Sequence, residues 1–308
     1  MHNKVAVIGS GFVGSTVAQR IVEKELADVV LVDIVEGVPQ GKGLDMLQSG
    51  PVEGFSSYIK GTNDFSEIAG SSIVVVTAGL ARKPGMTRED LVQTNAKIIS
   101  GVAENIKQYA PEAMIIMVTN PLDVMTYTAF KISGFAANKV FGMAGVLDTA
   151  RYRTFLALEL GVCVNDIQAM VLGGHGDEMV PLVDYTTVSG IPVRNLLDEA
   201  KIQEIVLRTR KGGGEIVGLL KTGSAYYAPS AAAVQMVEAV LKDQKRLLPV
   251  AALLTGQYGI HDAYVGVPAV IGANGVERII ELPLNSDDKN QLVASSEIIK
   301  ENIKLIFG

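Results

Sequence analysis

The sequence has little charge, no excess of basic residues and almost no cysteine. Only 19% of its 308 residues are charged, against about 25% in an average soluble protein, and 48% are hydrophobic. This composition excludes a disordered chain and allows a large core. Asp and Glu (33) outnumber Lys and Arg (27), giving a net charge of −6, so we expect no binding of nucleic acid.

Cys163 is the only cysteine, which excludes an intrachain disulfide and a cysteine-based zinc site. A lone cysteine fits a reducing compartment. The longest apolar run covers only residues 113–118, whereas a membrane-spanning helix needs about 20 apolar residues. Residues 1–4 lead into an apolar stretch without a signal-peptide pattern. We therefore expect a cytoplasmic protein with no membrane partner and no metal ion.

Continuous apolar runs alternate with amphipathic helical segments in the first half of the chain. Such runs are typical of strands buried on both faces of a parallel sheet. They lie at residues 4–9, 28–33, 72–79, 113–120 and 139–144. This alternation predicts an α/β fold with a doubly wound parallel sheet of the Rossmann type over residues 1–145.

The second half, residues 146–308, mixes helical segments with short strands and turns. Helical patterns cover residues 148–161, 229–243 and 289–306, and strand-and-turn patterns cover 167–190 and 263–285. This half is therefore predicted as a second, mixed α+β domain. The glycine-rich stretch 208–216 is interpreted as a helix end or kink.

Residues 9–14 read GSGFVG, a G-x-G-x-x-G pattern between a predicted strand and a predicted helix. Gly9 permits a sharp turn, Gly11 lets a pyrophosphate approach the backbone, and Gly14 lets the helix pack on the sheet. Free N–H groups at the helix start favour phosphate. A structural tight turn is the alternative. We interpret the loop as dinucleotide-binding through Gly9, Ser10, Gly11, Phe12, Val13 and Gly14.

Asp33 follows Gly14 by 19 residues and ends the second predicted strand, where an acid accepts ribose hydroxyls. A carboxylate there repels a 2′-phosphate, and no Arg or Lys follows before Lys42, so NAD is favoured over NADP. A methyltransferase that uses S-adenosylmethionine also fits this loop and acid. A methyltransferase does not need a His–Asp pair or several substrate arginines. The residues of the second half must therefore distinguish a methyltransferase from an NAD-dependent enzyme.

Three histidines are candidates for proton transfer near neutral pH: His2, His175 and His261. His175 lies between glycines in LGGHGDEMVP, which indicates tight packing against a ligand or another segment. Asp148 and Arg151 are three residues apart and share one helix face. A surface ion pair or a helix cap is the ordinary interpretation. The alternative is that Asp148 orients His175 and Arg151 binds a substrate carboxylate.

Residues 78–91 form a basic segment with Arg82, Lys83 and Arg88 around a Pro-Gly pair. The segment follows the third apolar strand, so it lies at the carboxyl edge of the sheet, where ligands bind in open α/β folds. Its Pro and Gly suit a loop that opens and closes. A solvated basic loop is the alternative.

Six motifs occur in one order along the chain: GSGFVG, LVDI with Asp33, GLARKPGMTREDL, VTNPLD, GVLDTARYR and GGHGDEMVP. Together they resemble the malate/lactate dehydrogenase family, and most closely its lactate-dehydrogenase-like group of malate dehydrogenases. The resemblance covers essentially the whole chain, including TRKGGGEIV and TGSAYYAPS. It implies an NAD-dependent oxidoreductase whose second half is the catalytic domain.

The resemblance also implies a role for each matching residue. His175 accepts the proton from the substrate hydroxyl and Asp148 is its partner. Arg151 binds the carboxylate beside the reacting carbon, and Arg88 polarises the carbonyl oxygen. Asn120 contacts substrate and nicotinamide, and Asn95 and Val118 help to bind the cofactor.

Arg82 is expected to decide the substrate, because malate dehydrogenases resembling this chain have Arg there and lactate dehydrogenases have Gln. A second carboxylate, as in oxaloacetate, needs a cation in a closed site, whereas pyruvate leaves that cation unpaired. Reversible oxidation of (S)-malate to oxaloacetate in the tricarboxylic acid cycle is the expected activity. A lactate or other 2-hydroxy-acid dehydrogenase and a non-catalytic NAD sensor remain alternatives. The family forms dimers and tetramers, and we expect a homotetramer.

Overall fold

The computed structural model describes residues 3–81, 85 and 87–308 of the chain. His2, Arg82 and Lys83 from the sequence predictions lie outside these residues. In the described part of the first half, six strands alternate with four helices. The strands are β1 (Lys4–Ile8), β2 (Asp28–Val32), β3 (Ile59–Thr62), β4 (Ile73–Val76), β5 (Met114–Met117) and β6 (Val140–Gly142). The helices are α1 (Phe12–Glu23), α2 (Val38–Glu53), α3 (Arg88–Tyr109) and α4 (Leu122–Ser133).

The six strands form a parallel sheet in the order β3-β2-β1-β4-β5-β6. This order is that of a doubly wound Rossmann fold, as predicted. Valine and isoleucine dominate β1, β2 and β4, whose residues are nearly all buried because helices cover both faces. The sequence prediction missed β3, since its segment IKGT has no apolar run.

The second half adds four helices and eight strands within the described residues. The helices are α5 (Gly145–Leu160), α6 (Glu199–Leu220), α7 (Tyr227–Leu241) and α8 (Ser286–Phe307). The strands are β7 (Ile167–Gln168), β8 (Val171–Leu172), β9 (Val180–Pro181), β10 (Thr187–Val188), β11 (Ile191–Pro192), β12 (Arg246–Thr255), β13 (His261–Gly272) and β14 (Gly275–Ile279). This mixture matches the predicted α+β character, and the division at residues 145 and 146 stays a prediction.

The strands β12, β13 and β14 continue the first sheet instead of forming a separate one. They pair antiparallel with one another, and β12 joins β6 through Ala251 and Gly142. The described residues thus share a nine-stranded sheet with one hydrophobic core that draws side chains from both halves. A smaller apolar cluster packs α5 against α6, around Tyr152, Leu156 and Ile202.

Helix α6 runs without interruption through the glycine-rich stretch 208–216. The expectation of a helix end or kink there was wrong. The helix begins at a side-chain cap, Asp198, whose carboxylate accepts a hydrogen bond from the Lys201 N–H, and it ends at Leu220. Among the described helices, none combines the length and the apolar composition needed to cross a bilayer.

Candidate active site

The loop between β1 and α1 uses its three glycines for three different steric reasons. A Cβ on Gly9, which has φ of +103°, would lie 2.7 Å from the backbone nitrogen of Ala78. A Cβ on Gly14 would lie 1.8 Å from the carbonyl oxygen of Gly9. A Cβ on Gly11 would meet nothing within 4 Å, so space is open on that side of the loop. The first turn of α1 has no side-chain cap, which leaves its N–H groups available to an anion.

Asp33, at the carboxyl end of β2, is bound to this loop. Its Oδ2 accepts hydrogen bonds from the backbone N–H of Ser10 (2.6 Å) and the Ser10 hydroxyl (2.8 Å). Its Oδ1 accepts one from the Val35 N–H at 3.0 Å. Burial raises the pKa of the Asp33 carboxyl, but these hydrogen bonds outweigh burial and hold the pKa below its usual value. The group therefore carries its negative charge at neutral pH.

Lys42, the first basic residue after Asp33 in the sequence, also contacts the loop. Its Nζ donates to the carbonyl oxygen of Ser10 at 2.5 Å and to the Ser15 hydroxyl at 3.1 Å. Two charged residues of opposite sign, Asp33 and Lys42, thus both hydrogen-bond to Ser10 of the loop. The exposed Phe12 ring stacks on Tyr226, with centroids 5.2 Å apart, which links the loop to the start of α7.

A cavity of about 1120 Å³ opens at the carboxyl ends of the parallel strands, between the two halves of the chain. This position is where ligands bind in doubly wound sheets. The predicted site residues that line it are Val13, Arg88, Val118, Asn120, Arg151 and His175. A second cleft, of about 860 Å³, lies elsewhere and is lined by none of the predicted site residues.

His175 and Asp148, 27 positions apart in sequence, form a direct side-chain pair. The Asp148 carboxylate is buried, and its Oδ2 lies 2.8 Å from His175 Nδ1. Its Oδ1 lies 3.2 Å from the Arg151 guanidinium on the same helix, α5. Because a carboxylate accepts the Nδ1 proton, the other ring nitrogen, Nε2, is the one left for a ligand. Nε2 has no hydrogen-bond partner among the described residues.

The charges around His175 have opposing effects on the pKa of its imidazole. Burial lowers the pKa, and the Arg151 cation lowers it further. The negative charge and hydrogen bond of Asp148 raise it, and Asp123 adds to this effect. The two carboxylates outweigh the other effects, so the pKa of His175 is raised above its ordinary value. This shift stabilises the protonated imidazole, which is the form that can donate a proton to a ligand.

Arg88 is at the first turn of α3, which begins with a capping box between Thr87 and Asp90. Its guanidinium lies 3.7 Å from the Glu178 carboxylate and its side chain is 57% exposed. Arg88 and His175 line the same cavity. Arg82, the predicted specificity residue, lies outside the described residues.

Asn95 and Asn120 are connected to each other. The buried Asn95 side chain donates to the Asn120 carbonyl oxygen at 2.7 Å, and it exchanges hydrogen bonds with the backbone of Leu80. The Asn95 amide is thus already occupied by main-chain partners. Asn120 is exposed and Val118 is nearly buried, and both line the cavity at the end of β5.

Several residues that support this site were missed by sequence reasoning. The carboxylate of Asp123 accepts a hydrogen bond from the His175 backbone N–H at 3.0 Å, and the Ser295 hydroxyl oxygen accepts one from the Gly174 N–H at 2.8 Å. Asp123 belongs to the quoted motif VTNPLD, so its proximity to Asn120 was the available signal. His261 is exposed at the start of β13 and does not line the cavity.

The described residues contain no group of three or more His, Cys, Asp or Glu side chains able to hold a metal ion. The cavity instead combines arginines with an imidazole that a carboxylate orients. Such a set binds a small carboxylic acid through charge-assisted hydrogen bonds and exchanges a proton with it.

Comparisons with known proteins give concordant results. Residues 3–142 match the family model for the NAD-binding domain of lactate/malate dehydrogenase, and residues 145–308 match the model for its α/β C-terminal domain. A malate dehydrogenase of Roseiflexus sp. strain RS-1 is 61% identical over 303 residues, which are 98% of each chain.

Solved structures of both substrate classes are similar to this chain. The malate dehydrogenase of Salinibacter ruber has a TM-score of 0.94 and 52% identity, covering 98% of this chain and 97% of that chain. The lactate dehydrogenase of Cryptosporidium parvum, complexed with lactic acid and NAD, has a TM-score of 0.96 and 45% identity, covering 99% and 98%. The backbone alone therefore does not discriminate malate from lactate.

Proposed function

The chain belongs to the lactate/malate dehydrogenase family, and we propose that it oxidises (S)-malate reversibly to oxaloacetate with NAD as cofactor. The activity predicted from the sequence, that of an NAD-dependent malate dehydrogenase, is confirmed by full-length relatives of that name. The observation that carries the chemistry is the pair between His175 Nδ1 and the buried Asp148 carboxylate, 2.8 Å apart beside Arg151.

The first half, residues 1–145, is proposed to hold the cofactor. Its structure fits a dinucleotide, because a bulky side chain is excluded at Gly9 and Gly14 while the space beside Gly11 is open. The residues proposed to hold NAD are Gly9, Ser10, Gly11, Phe12, Val13, Gly14, Asp33, Val118 and Asn120. When bound, NAD supplies the acceptor for the hydride that leaves malate. The contacts of Asn95 suggest that it acts by positioning Asn120 and Leu80.

The second half, residues 146–308, is proposed to carry the catalytic pair. Arg151 binds the carboxylate beside the reacting carbon, and its position is fixed by the Asp148 carboxylate. Arg88 and Asn120, from the first half, bind the reacting oxygen, where negative charge develops during reduction of oxaloacetate. The Arg88 guanidinium lies 3.7 Å from the Glu178 carboxylate, and both residues line the cavity.

The proton moves through His175. In malate oxidation, Nε2 of the neutral imidazole takes the hydroxyl proton, and Asp148 stabilises the resulting imidazolium. In oxaloacetate reduction, the protonated imidazole returns that proton to the carbonyl oxygen. The raised pKa of His175 favours the protonated form that reduction requires.

Arg82 is proposed to select oxaloacetate by binding its second carboxylate. Pyruvate is the substrate against which this selection is tested, because a similar structure is that of a lactate dehydrogenase from Cryptosporidium parvum. The deciding experiment follows NADH oxidation with oxaloacetate and with pyruvate in parallel, and uses NADPH as the cofactor control. We expect kcat/KM for oxaloacetate to exceed that for pyruvate by about 10³-fold, because pyruvate leaves Arg82 unpaired.

The variant Arg82→Gln provides the matched test of specificity. It should lower kcat/KM for oxaloacetate and raise the relative rate with pyruvate, while His175-dependent turnover is kept. An unchanged ratio of the two kcat/KM values would contradict the role of Arg82. A wild-type preference for pyruvate would instead favour the lactate dehydrogenase.

We further propose a cytoplasmic homotetramer that acts in the tricarboxylic acid cycle. The free thiol of the exposed Cys163 suits a reducing compartment. The family resemblance supports the oligomeric state. Interconversion of malate and oxaloacetate is the step that the proposed activity contributes to that cycle.

A further inference from the structure

Asp123 is a buried carboxylate that no role assigned above includes. It is the second residue of α4, three positions after Asn120, and only 5% of it is exposed. A carboxylate in the first turn of a helix is stabilised by the helix dipole. Its side chain is directed to the loop that carries His175, which comes from the other half of the chain.

The contact is with the main chain of His175. Oδ2 of Asp123 accepts the His175 backbone N–H at 3.0 Å, and the neighbouring Gly174 N–H donates to the Ser295 hydroxyl of α8 at 2.8 Å. A Cβ on Gly174 would lie 3.5 Å from Asp123 Oδ2 and 3.1 Å from Ser295 Oγ, so a larger residue would crowd both contacts. Two helices thus fix two successive amides of the catalytic loop.

This carboxylate has an incomplete set of partners. Its other oxygen, Oδ1, is buried and has no hydrogen-bond partner among the described residues. Burial raises the pKa of Asp123 to about 6, although the hydrogen bond and charge of His175 act in the opposite direction. A buried carboxylate oxygen without a partner lowers the stability of the fold. The other oxygen of Asp123 fixes the position of the His175 main chain, which explains why this cost is tolerated.

We propose that Asp123 is a positioning residue for malate oxidation, which holds the His175 main chain while Asp148 holds its imidazole. The two ends of one residue are then fixed by two helices: α4, which follows Asn120, and α5, which carries Arg151. This inference rests on the proposed function. It also accounts for the placement of an acidic side chain where a neutral one would be easier to bury.

Asp123 also contributes charge. Three charged groups face His175: Asp148 and Arg151 from α5, and Asp123 from α4. Helix α8 contacts the His175 loop through Ser295, which is neutral. Removal of one negative charge lowers the pKa of the imidazole. The alkaline limit of oxaloacetate reduction, which needs protonated His175, should then move to lower pH.

The test compares Asp123→Asn and Asp123→Ala with wild type in oxaloacetate reduction by NADH. Asparagine keeps an acceptor for the His175 N–H but removes the charge, so we expect kcat to fall by about tenfold or less. The alkaline limit should move to lower pH. Alanine removes both the hydrogen-bond acceptor and the charge, so the imidazole of His175 should be displaced. We expect kcat to fall by about 10²-fold, with little change in KM for NADH.

Two controls separate this role from a loss of folding. Thr128→Val removes a buried hydroxyl that donates to the Val124 carbonyl oxygen of the same helix, and it should leave kcat and the pH profile unchanged. Ser295→Ala loosens the loop without removing charge, so it should lower kcat without moving the pH limit. Thermal unfolding and NADH fluorescence titration of each variant verify that it is folded and binds the cofactor.

The outcomes separate this inference from the proposed function. An active wild type together with Asp123 variants that keep kcat within about twofold and the same pH profile would overturn the inference alone. An unshifted profile in Asp123→Asn would overturn the electrostatic contribution. A wild type that turns over neither oxaloacetate nor pyruvate would overturn the proposed function, and the role of Asp123 with it.

Discussion

At the residue scale, the raised pKa of His175 predicts how the rate of the proposed reaction depends on pH. Burial alone would lower that pKa, and the negative charge and hydrogen bond of Asp148 reverse the effect. Oxaloacetate reduction needs the protonated imidazole, so its kcat/KM should fall as pH rises through the pKa of His175. Malate oxidation needs the neutral imidazole, so its kcat/KM should rise over the same range.

Asp148→Asn tests this dependence. Without the carboxylate, the pKa of His175 falls, so both profiles should move to lower pH, and kcat should drop by up to about 10⁴-fold. Stopped-flow or steady-state rates between pH 5 and 9 measure both effects. His175→Asn is the control: it should retain NADH binding and lose turnover, and measurable residual activity with an unchanged pH profile would contradict the assignment of His175.

The sequence predicted some of the side-chain contacts of the site and missed others. His175, Asp148 and Arg151 were predicted as candidates for proton transfer and carboxylate binding, and the structure places their side chains next to one another. The motif VTNPLD includes Asp123, but its contact with His175 joins residues 52 positions apart through a backbone N–H, and no sequence pattern specifies such a contact. The hydrogen bonds between Asp33 and Ser10 were missed for the same reason, although both residues were selected.

At the element scale, glycines explain two features that secondary-structure propensity predicts poorly: the strand β3 and the uninterrupted helix α6. β3 contains a lysine and a glycine and no apolar run, yet it extends the sheet. A Cβ on Gly61 would lie 1.7 Å from the carbonyl oxygen of Pro39, and one on Gly43 would lie 2.7 Å from the Gly61 nitrogen. α2 thus packs backbone to backbone on β3, a tertiary contact that local sequence patterns do not encode.

The glycine triplet of α6 serves Arg151 instead of breaking the helix. A Cβ on Gly212 would lie 3.2 Å from Cδ of Arg151, and one on Gly213 would lie 3.6 Å from its guanidinium. Each glycine in a helix interior costs up to about 1 kcal/mol relative to alanine, which a required close approach explains.

Gly212→Ala should therefore displace Arg151 and raise KM for oxaloacetate, by about tenfold for a loss of about 1.4 kcal/mol in carboxylate binding. Gly218→Ala is the matched control, since a Cβ there meets nothing within 4 Å on the same helix. It should stabilise the protein by up to about 1 kcal/mol and leave KM unchanged. Steady-state kinetics and thermal unfolding check both variants, and equal KM values would contradict the proposed packing role.

At the scale of the whole molecule, the nine-stranded sheet explains why the two halves are one body. The parallel strands and the order of the motifs made the Rossmann-type half predictable. The antiparallel extension was not, because it depends on a single pairing between Gly142 of β6 and Ala251 of β12. A Cβ on Gly142 would lie 3.1 Å from that of Ala251, so the close junction needs glycine.

The exposed apolar surface of the molecule agrees with the proposed homotetramer. Large apolar side chains remain on the surface, among them Leu158 (69% exposed), Leu219 (75%) and Tyr227 (65%). Their burial against further copies would contribute about 25 cal/mol per Å². We expect sedimentation velocity to give a species of four times the chain mass of 32.6 kDa that persists on dilution to the concentrations used in kinetics. Two chain masses would contradict the tetramer and keep a homo-oligomer, and a fully active single chain would contradict both.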